Sequence, residues 1–191
     1  MTVKDILFGV SKSTIVTPNN WIKILPRTYA NYTAGKIEFD SSDNLYSAGF
    51  YSGRSDESSY GATLYKVNAA GLGIWHTDVD YNIASPNYVR KFSDLVLDSS
   101  DNIYLVGIEN YSICTIIISK YNSSGVFQWE YKISGSNNIN ASGVYIFTYI
   151  TIDSAGNSIV TYQETDSPTF VFLKISSSGT LVWSKSITLA G

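Results

Sequence analysis

Few residues in this chain belong to types and patterns that carry out chemistry. The sequence holds one histidine, His76, beside Trp75, and one cysteine, Cys114, inside an apolar run. A lone histidine cannot form a multi-histidine metal site, and any Ser-His-Asp triad would have to use it. The sequence contains no phosphate-binding loop, Cys/His cluster or nucleophile elbow. We therefore predict a protein that is not an enzyme, with no catalytic residue, no metal and no cofactor.

Acidic turns are the second group of residues that could bind something. Asp40 and Asp98 each begin an Asp-Ser-Ser-Asp-Asn segment, and Asp153 begins a related one that ends at Asn157. The two Asp-Ser-Ser-Asp-Asn segments superficially resemble calcium loops, but they lack the glycine and the distal bidentate glutamate of an EF-hand. Side chains that hydrogen-bond to their own turn explain the pattern better.

The residues that recur most regularly are tryptophans. All four are spaced 54 residues apart, at Trp21, Trp75, Trp129 and Trp183. A lysine precedes each tryptophan by nine residues, and a glycine precedes the last three by four, at Gly71, Gly125 and Gly179. A constant period of this length is typical of a repeat architecture.

Each repeat contains four short β-rich runs separated by turn residues. In the second repeat we predict strands over 92–97, 103–108, 115–121 and 126–133. Clusters of Asp, Asn, Ser and Gly between such runs favour hairpins. Because no segment shows a capped apolar period of 3.6 residues, we predict almost no helix.

These recurring residues resemble a known family. The pattern Asp-x-x-(Gly/Asp)-Asn-x-x-x-x-Gly, followed by Lys-x-Asn-x-x-Gly-x-x-x-Trp, is similar to SBBP-type β-propeller repeats and to the tryptophan-bearing blades of quinoprotein (PQQ-like) propellers. The similarity spans residues 37–187. It implies an all-β, propeller-like array of four-stranded antiparallel blades with no catalytic residue. The cofactor site and metal ligands of the quinoprotein enzymes have no counterpart here.

The period divides the chain into about three and a half blades. We predict an N-terminal half-blade (strands three and four) with its connector over 1–36, and blades over 37–90, 91–144 and 145–191, together forming one repeat domain. Propellers have four to eight blades, so such an array would leave interfaces and an edge uncovered. The chain is then part of a longer protein, a protomer whose copies complete a ring or stack, or a component that packs on a larger assembly.

The lengths of the connections suggest where a ligand would bind. The turn after strand one and the turn after strand three are constant in length, whereas the loop after strand two and the connection between blades vary. In an antiparallel blade, both variable connections leave from one face, and loops on a rigid scaffold usually carry recognition. The predicted loops on this face are 52–61, 80–91, 109–111, 135–143 and 164–168, and they are rich in Tyr, Asn and Ser, which suit glycan or protein surfaces. The alternative is that they are solvated connectors. The candidate ligand-binding residues are Tyr60, Tyr81, Tyr88, Tyr111, Asn87 and Asn138.

The repeated tryptophans are expected to be structural. Ile74, Val182 and Ile187 lie near them in sequence and indicate a core, so each ring is predicted to pack between blades. The alternative is a sugar-stacking ring in each blade. The structural repeat residues are Trp21, Trp75, Trp129, Trp183, Gly71, Gly125, Gly179, Asp40, Asp98 and Asp153.

Composition limits the partners. The net charge is −3 without a basic block, so nucleic acid is not expected. The apolar runs are too short to insert into a membrane, and the N-terminus is too weak for a secretory signal. A short β-rich sequence with many Tyr, Asn and Ser residues and few Met and Cys resembles those of phage virion components, which favours a location in a virion or on a cell surface. The expected function is non-enzymatic binding of protein or glycan. The alternatives are a purely structural assembly protein and a fragment of a larger propeller enzyme.

Overall fold

Twelve strands make up the regular structure. The computed structural model describes residues 29–54, 57–79, 89–110, 114–134, 148–163 and 168–189. Every regular element in these ranges is a β-strand. The strands of the first sheet are β1 (Tyr29–Phe39), β2 (Leu45–Arg54), β3 (Glu57–Val67) and β4 (Gly73–Val79). Those of the second are β5 (Val89–Leu97), β6 (Ile103–Asn110), β7 (Cys114–Tyr121) and β8 (Phe127–Ser134). Those of the third are β9 (Thr148–Ile152), β10 (Ser158–Gln163), β11 (Thr169–Ile175) and β12 (Leu181–Thr188).

Each sheet is an antiparallel meander in sequence order. The orders are β1-β2-β3-β4, β5-β6-β7-β8 and β9-β10-β11-β12. The prediction of an all-β protein with four-stranded antiparallel units is confirmed at this level. β1 and β5 begin at Tyr29 and Val89, ahead of the expected blade borders at residues 37 and 91.

Six turns within the sheets share one geometry. The first residue of each turn exchanges backbone hydrogen bonds with the fourth and fifth, as in Asn122, whose carbonyl accepts from Gly125 N at 2.9 Å. The fourth residue has a positive φ in every case, from 58° at Asp43 to 86° at Gly179. This is a type I turn closed by one residue in the left-handed region, where glycine and aspartate are tolerated. The recurring glycines therefore have a backbone function.

A β-bulge interrupts the first strand of two sheets. The register of β1 shifts between Ala34 and Ile37, and that of β5 shifts between Phe92 and Asp94. Gly107 lies opposite the second bulge, and a Cβ at this position would lie 2.7 Å from Phe92 Cα. In the third sheet Tyr162 occupies the equivalent position, and the described pairing of β9 with β10 has no shift.

The sheets pack face against face around two cores. We call the side of a sheet that faces the next sheet in the chain its front face, and the opposite side its back face. The first core joins the front face of the first sheet to the back face of the second, and includes Leu64, Leu105 and Ile117. The second core joins the second and third sheets in the same way, and includes Ile118 and Leu173.

The second sheet is therefore buried on both sides. Residues 103–107 of β6 and 116–119 of β7 are all buried. In the third sheet, β10 and β11 instead alternate between buried and half-buried positions. Continuous apolar runs fit a sheet covered on both faces, and alternation fits a sheet covered on one.

Candidate functional site

The antiparallel order separates two ends of the sheets. The six short turns lie at one end, which we call the turn end. The β2–β3, β6–β7 and β10–β11 connections and the connections between sheets leave from the opposite end, which we call the loop end. The predicted binding face corresponds to the loop end.

The predicted ligand-binding residues are only partly within the described chain. Tyr60 lies in β3, where it pairs with Ser52 of β2. The segment 52–61, expected to be a loop, is mostly strand, because β2 continues to Arg54 and β3 starts at Glu57. Tyr81, Asn87, Tyr88, Tyr111 and Asn138 lie outside the described residues, so their role stays a prediction.

A charged network lies just beneath the loop end of the second sheet. Arg90, near the start of β5, is 6% exposed. Its guanidinium donates to Glu109 and, at 2.8 Å, to Glu130 Oε2. Lys132 Nζ donates to Glu109 Oε2 at 2.8 Å, and Ser119 Oγ donates to Glu130 Oε2 at 2.8 Å. These contacts tie together side chains from all four strands of the sheet.

The charges in this network balance. Two cations face two carboxylates, so no unpaired charge is buried. Burial would raise the pKa of Glu109, but hydrogen bonds from Lys132 and Arg90 lower it below its usual value. Burial would lower the pKa of Lys132, but Glu109 raises it. Both groups therefore stay ionised at neutral pH, and the network fixes the strand ends from which the loops leave.

Sequence reasoning missed this network. Arg90 fell in a presumed loop at 80–91, and Glu109 fell in another at 109–111. Arg90 and Glu109 are 19 residues apart and meet because β5 pairs with β6 in a register that places them directly opposite. Only the register brings them together, and the register depends on the Phe92/Asp94 bulge.

The turn end carries three acidic turns of one design. Asp40 Oδ1 accepts the backbone N–H groups of Ser42 and Asn44 at 2.9 and 2.8 Å, and the Asn44 side chain donates to Oδ2 at 2.8 Å. Asp98 and Asp153 make the same bonds with their own turns. The turns thus use the carboxylate oxygens internally, as the self-hydrogen-bonded interpretation predicts. No group of three or more potential metal ligands occurs among the described residues.

The repeated lysine completes each acidic turn. Lys66 Nζ lies 3.2 Å from Asp40, Lys120 lies 4.0 Å from Asp98, and Lys174 lies 2.8 Å from Asp153. Burial would raise the pKa of Asp40, but the bonds from Asn44, Ser42 and Lys66 lower it to about 2. The 54-residue lysine step therefore serves a structural ion pair.

In two sheets, the lysine of the acidic turn also lies over a tyrosine ring, and this ring contacts the repeated tryptophan. Lys120 Nζ lies 4.7 Å above the Tyr104 ring, which meets Trp129 edge to face at 6.1 Å. Lys66, Tyr46 and Trp75 repeat the arrangement in the first sheet. Burial and the Asp98 carboxylate raise the pKa of Tyr104 to about 12. In the third sheet Ile159 replaces the tyrosine.

Two tryptophans lie at the contacts between sheets. Trp75 packs on the turn of the second sheet, where a Cβ on Gly125 would lie 2.9 Å from the ring. Trp129 packs on the turn of the third sheet, where a Cβ on Gly179 would lie 2.8 Å from the ring. Trp129 Nε1 also donates to Ser177 O at 3.0 Å. These rings are used in contacts between sheets, which disfavours a sugar-stacking role for them. The expectation that Ile74, Val182 and Ile187 mark a core beside the tryptophans is wrong, because they are 50%, 54% and 54% exposed. Trp21 lies outside the described residues.

The single histidine lies on the surface of the first sheet. His76 is exposed in β4, and its ring centroid lies 6.1 Å from that of Tyr65. This stacking is an ordinary cross-strand contact between directly paired residues.

No protein-family model matches the sequence, and no curated protein matches it. In the described part of the chain, no helix has the length and apolar character needed to cross a bilayer.

Proposed function

We propose that the protein is a non-enzymatic binding module built as a β-propeller-like array, and that it recognises a protein or glycan through its loop end. The propeller arrangement is supported by the first strands of the three sheets, of which β1 lies beside β5 and β5 lies beside β9. Asp94 of β5 accepts from Ile150 N of β9 at 3.0 Å, and from Lys36 Nζ of β1 at 3.3 Å. In a propeller the first strand of each blade lies nearest the axis, so these contacts fit that arrangement.

The placement of the variable connections is the observation that carries the binding proposal. All of them leave from one end of a scaffold whose opposite end is fixed by six turns of one geometry. Beneath them, the Arg90 network holds the strand ends of the second sheet in place. A rigid base under Tyr-, Asn- and Ser-rich loops suits recognition, because little ordering entropy is lost when a partner binds.

Composition supports a location in a virion or on a cell surface. A chain of 191 residues with 15 tyrosines, one cysteine and one methionine suits a virion component, or one exposed on a cell surface. The partners of such a component are surface glycans or proteins, and no cofactor is needed for this function.

A glycan microarray probed with the labelled chain tests the proposal. We expect a defined subset of glycans to be bound, and Tyr81→Ala, Tyr88→Ala and Tyr111→Ala each to weaken that binding at least about tenfold, or about 1.4 kcal/mol. Ser99→Ala, an exposed change at the turn end, is the matched control and is expected to bind normally.

Circular dichroism must show that all variants are folded. Binding that survives every loop-end change, or that Ser99→Ala abolishes, would contradict the loop-end assignment. If the chain binds no glycan on the array, the partner to test is a protein. The same variants are then compared by crosslinking to intact host cells.

A further inference from the structure

The front face of the third sheet corresponds in position to two faces that other sheets cover. Strand register places Trp183, Lys174 and Ile159 in one row, as it places Trp129, Lys120 and Tyr104 in the second sheet. Phe170 and Phe172 occupy the positions of Ile116 and Ile118. Among the sheets described, the third has no following sheet packed on this face.

Exposure shows the difference between the covered and uncovered faces. Ile116 and Ile118 are 0% exposed under the third sheet. Their counterparts Phe170 and Phe172 are only half-buried. Ile187 and Tyr149, on the same face, are 54% and 58% exposed. An apolar face of this composition is typical of a surface that meets a partner.

The two covered faces show what kind of partner fits. Each inserts its tryptophan against a turn glycine with positive φ on the next sheet. Each also donates to carbonyls of the turns that it meets: Thr77 Oγ1 to Gly125 O at 3.2 Å, and Tyr104 Oη to Gly156 O at 3.2 Å. The receiving groups belong to the turn design that all three sheets share. A front face of this type is therefore built to receive another sheet of the same repeat.

The third front face carries two lysines, Lys174 and Lys185. Lys174 is already paired with Asp153 at 2.8 Å, like its counterparts in the covered faces. Lys185 lies beside the row of Trp183, with Nζ 6.0 Å from the ring centroid. Register gives Lys185 the position of Thr77 in the first sheet. Its amine could take over the role of the Thr77 hydroxyl and donate to a turn carbonyl.

We propose that the front face of the third sheet, formed by Tyr149, Ile159, Phe170, Phe172, Trp183 and Ile187, binds a second copy of this chain. Both described interfaces join sheets of this repeat, and a second copy of the chain supplies another such sheet. The tryptophan and Lys185 make contacts of the kind seen at the two internal interfaces. This interface is a sheet face and not a set of loops, so the proposal does not depend on glycan or protein recognition at the loop end.

Native mass spectrometry and light scattering across a wide range of protein concentration test this. We expect the purified chain to form a defined oligomer. Ile187→Glu and Tyr149→Glu are expected to weaken the association at least about tenfold, by placing a charge in a closing apolar contact. Val126→Glu, at a residue that is 56% exposed in the turn between β7 and β8, is the matched control and is expected to associate like the parent chain.

Each result decides for or against the proposal. Both test positions are exposed, so the variants should fold, and thermal unfolding of dilute samples checks this. A monomer at every concentration overturns the proposal. So does an oligomer that survives both glutamate variants, or one that Val126→Glu dissociates while the two test variants do not.

Discussion

At the scale of single residues, the surroundings of a tryptophan determine how much its ring stabilises the fold. Trp129 meets Tyr104 edge to face, packs on Gly179 and donates a hydrogen bond to Ser177 O. Trp183 has the same position in its repeat but faces Ile159 in place of tyrosine. It is therefore the natural comparison for Trp129.

We expect Trp129→Ala to lower the free energy of unfolding by about 3–5 kcal/mol, because the change leaves a cavity between two sheets. Trp183→Ala is expected to lower it by less than about 2 kcal/mol in dilute solution, where only Lys185 is described over its ring. Urea denaturation followed by circular dichroism measures both values. Equal losses for the two variants would show that the contact with Gly179 adds little.

The sequence predicted some of these residue-level contacts and not others. The tryptophan, glycine and lysine steps were visible as a period, and the acidic turns were correctly interpreted as hydrogen-bonded to themselves. The Arg90 network was not visible, because its members come from four strands and only their register brings them together. The candidate tyrosines and asparagines were chosen from loop composition alone, and loop composition does not determine which side chains face a partner.

At the scale of secondary structure, a strand can carry a bulge only where its neighbour leaves room. The carbonyl of Lys91 and the Cα of Phe92 lie against Gly107, whereas in the third sheet, with Tyr162 at this position, the described pairing of β9 with β10 has no register shift. The bulge also lies between Arg90 and Asp94. It therefore sets which residues of β5 reach the charged network and which reach β9.

We expect Gly107→Ala to destabilise the protein by about 3 kcal/mol, because the added methyl group would meet backbone atoms that cannot move aside. Gly156→Ala is the comparison, since its methyl group would be 3.7 Å from its nearest neighbours and the change mainly strains a φ of 74°. That strain amounts to about 1–2 kcal/mol. Thermal unfolding of both variants measures the difference, and a Gly107→Ala protein as stable as the parent would contradict the steric argument.

Strands and turns were the part of the fold that local sequence predicts well. Asp, Asn and Gly at fixed offsets marked all six turns, because few other residues satisfy those backbone angles and hydrogen bonds. β5 begins at Val89, before the predicted strand over 92–97, because a bulged strand breaks the alternation that marks a strand in sequence. The length of β2 and β3 was underestimated for a similar reason, since serine and glycine in 52–59 suggested a loop.

At the scale of the whole molecule, the second sheet holds the other two together. It contributes its two faces to two separate cores, and Tyr104, Leu105, Val106, Ile116, Ile117 and Ile118 are all fully buried. The sequence contains this information in its unbroken apolar runs. It could not show how the sheets are arranged around one another, because a period fixes the unit and not the angle between units.

We expect the backbone amides of β6 and β7 to exchange hydrogen more slowly than any others among the described strands. Exposing them requires separating both cores, whereas β12 can open at the edge of the third sheet without disturbing either core. Hydrogen exchange followed by mass spectrometry gives the order directly. Slowest exchange in β10 and β11 would show instead that the third sheet is the most stable unit.

The contacts between sheets have a direction, and this bears on how the chain can fold as it is made. The tryptophan that completes a front face lies in the last strand of its sheet, so that face is finished before synthesis of the following sheet begins. The glycine turn that receives the tryptophan comes near the end of the following sheet. Each new sheet therefore emerges from the ribosome beside an apolar surface that is already complete, and its last hairpin closes the contact. The order of synthesis and the order of assembly coincide in this fold.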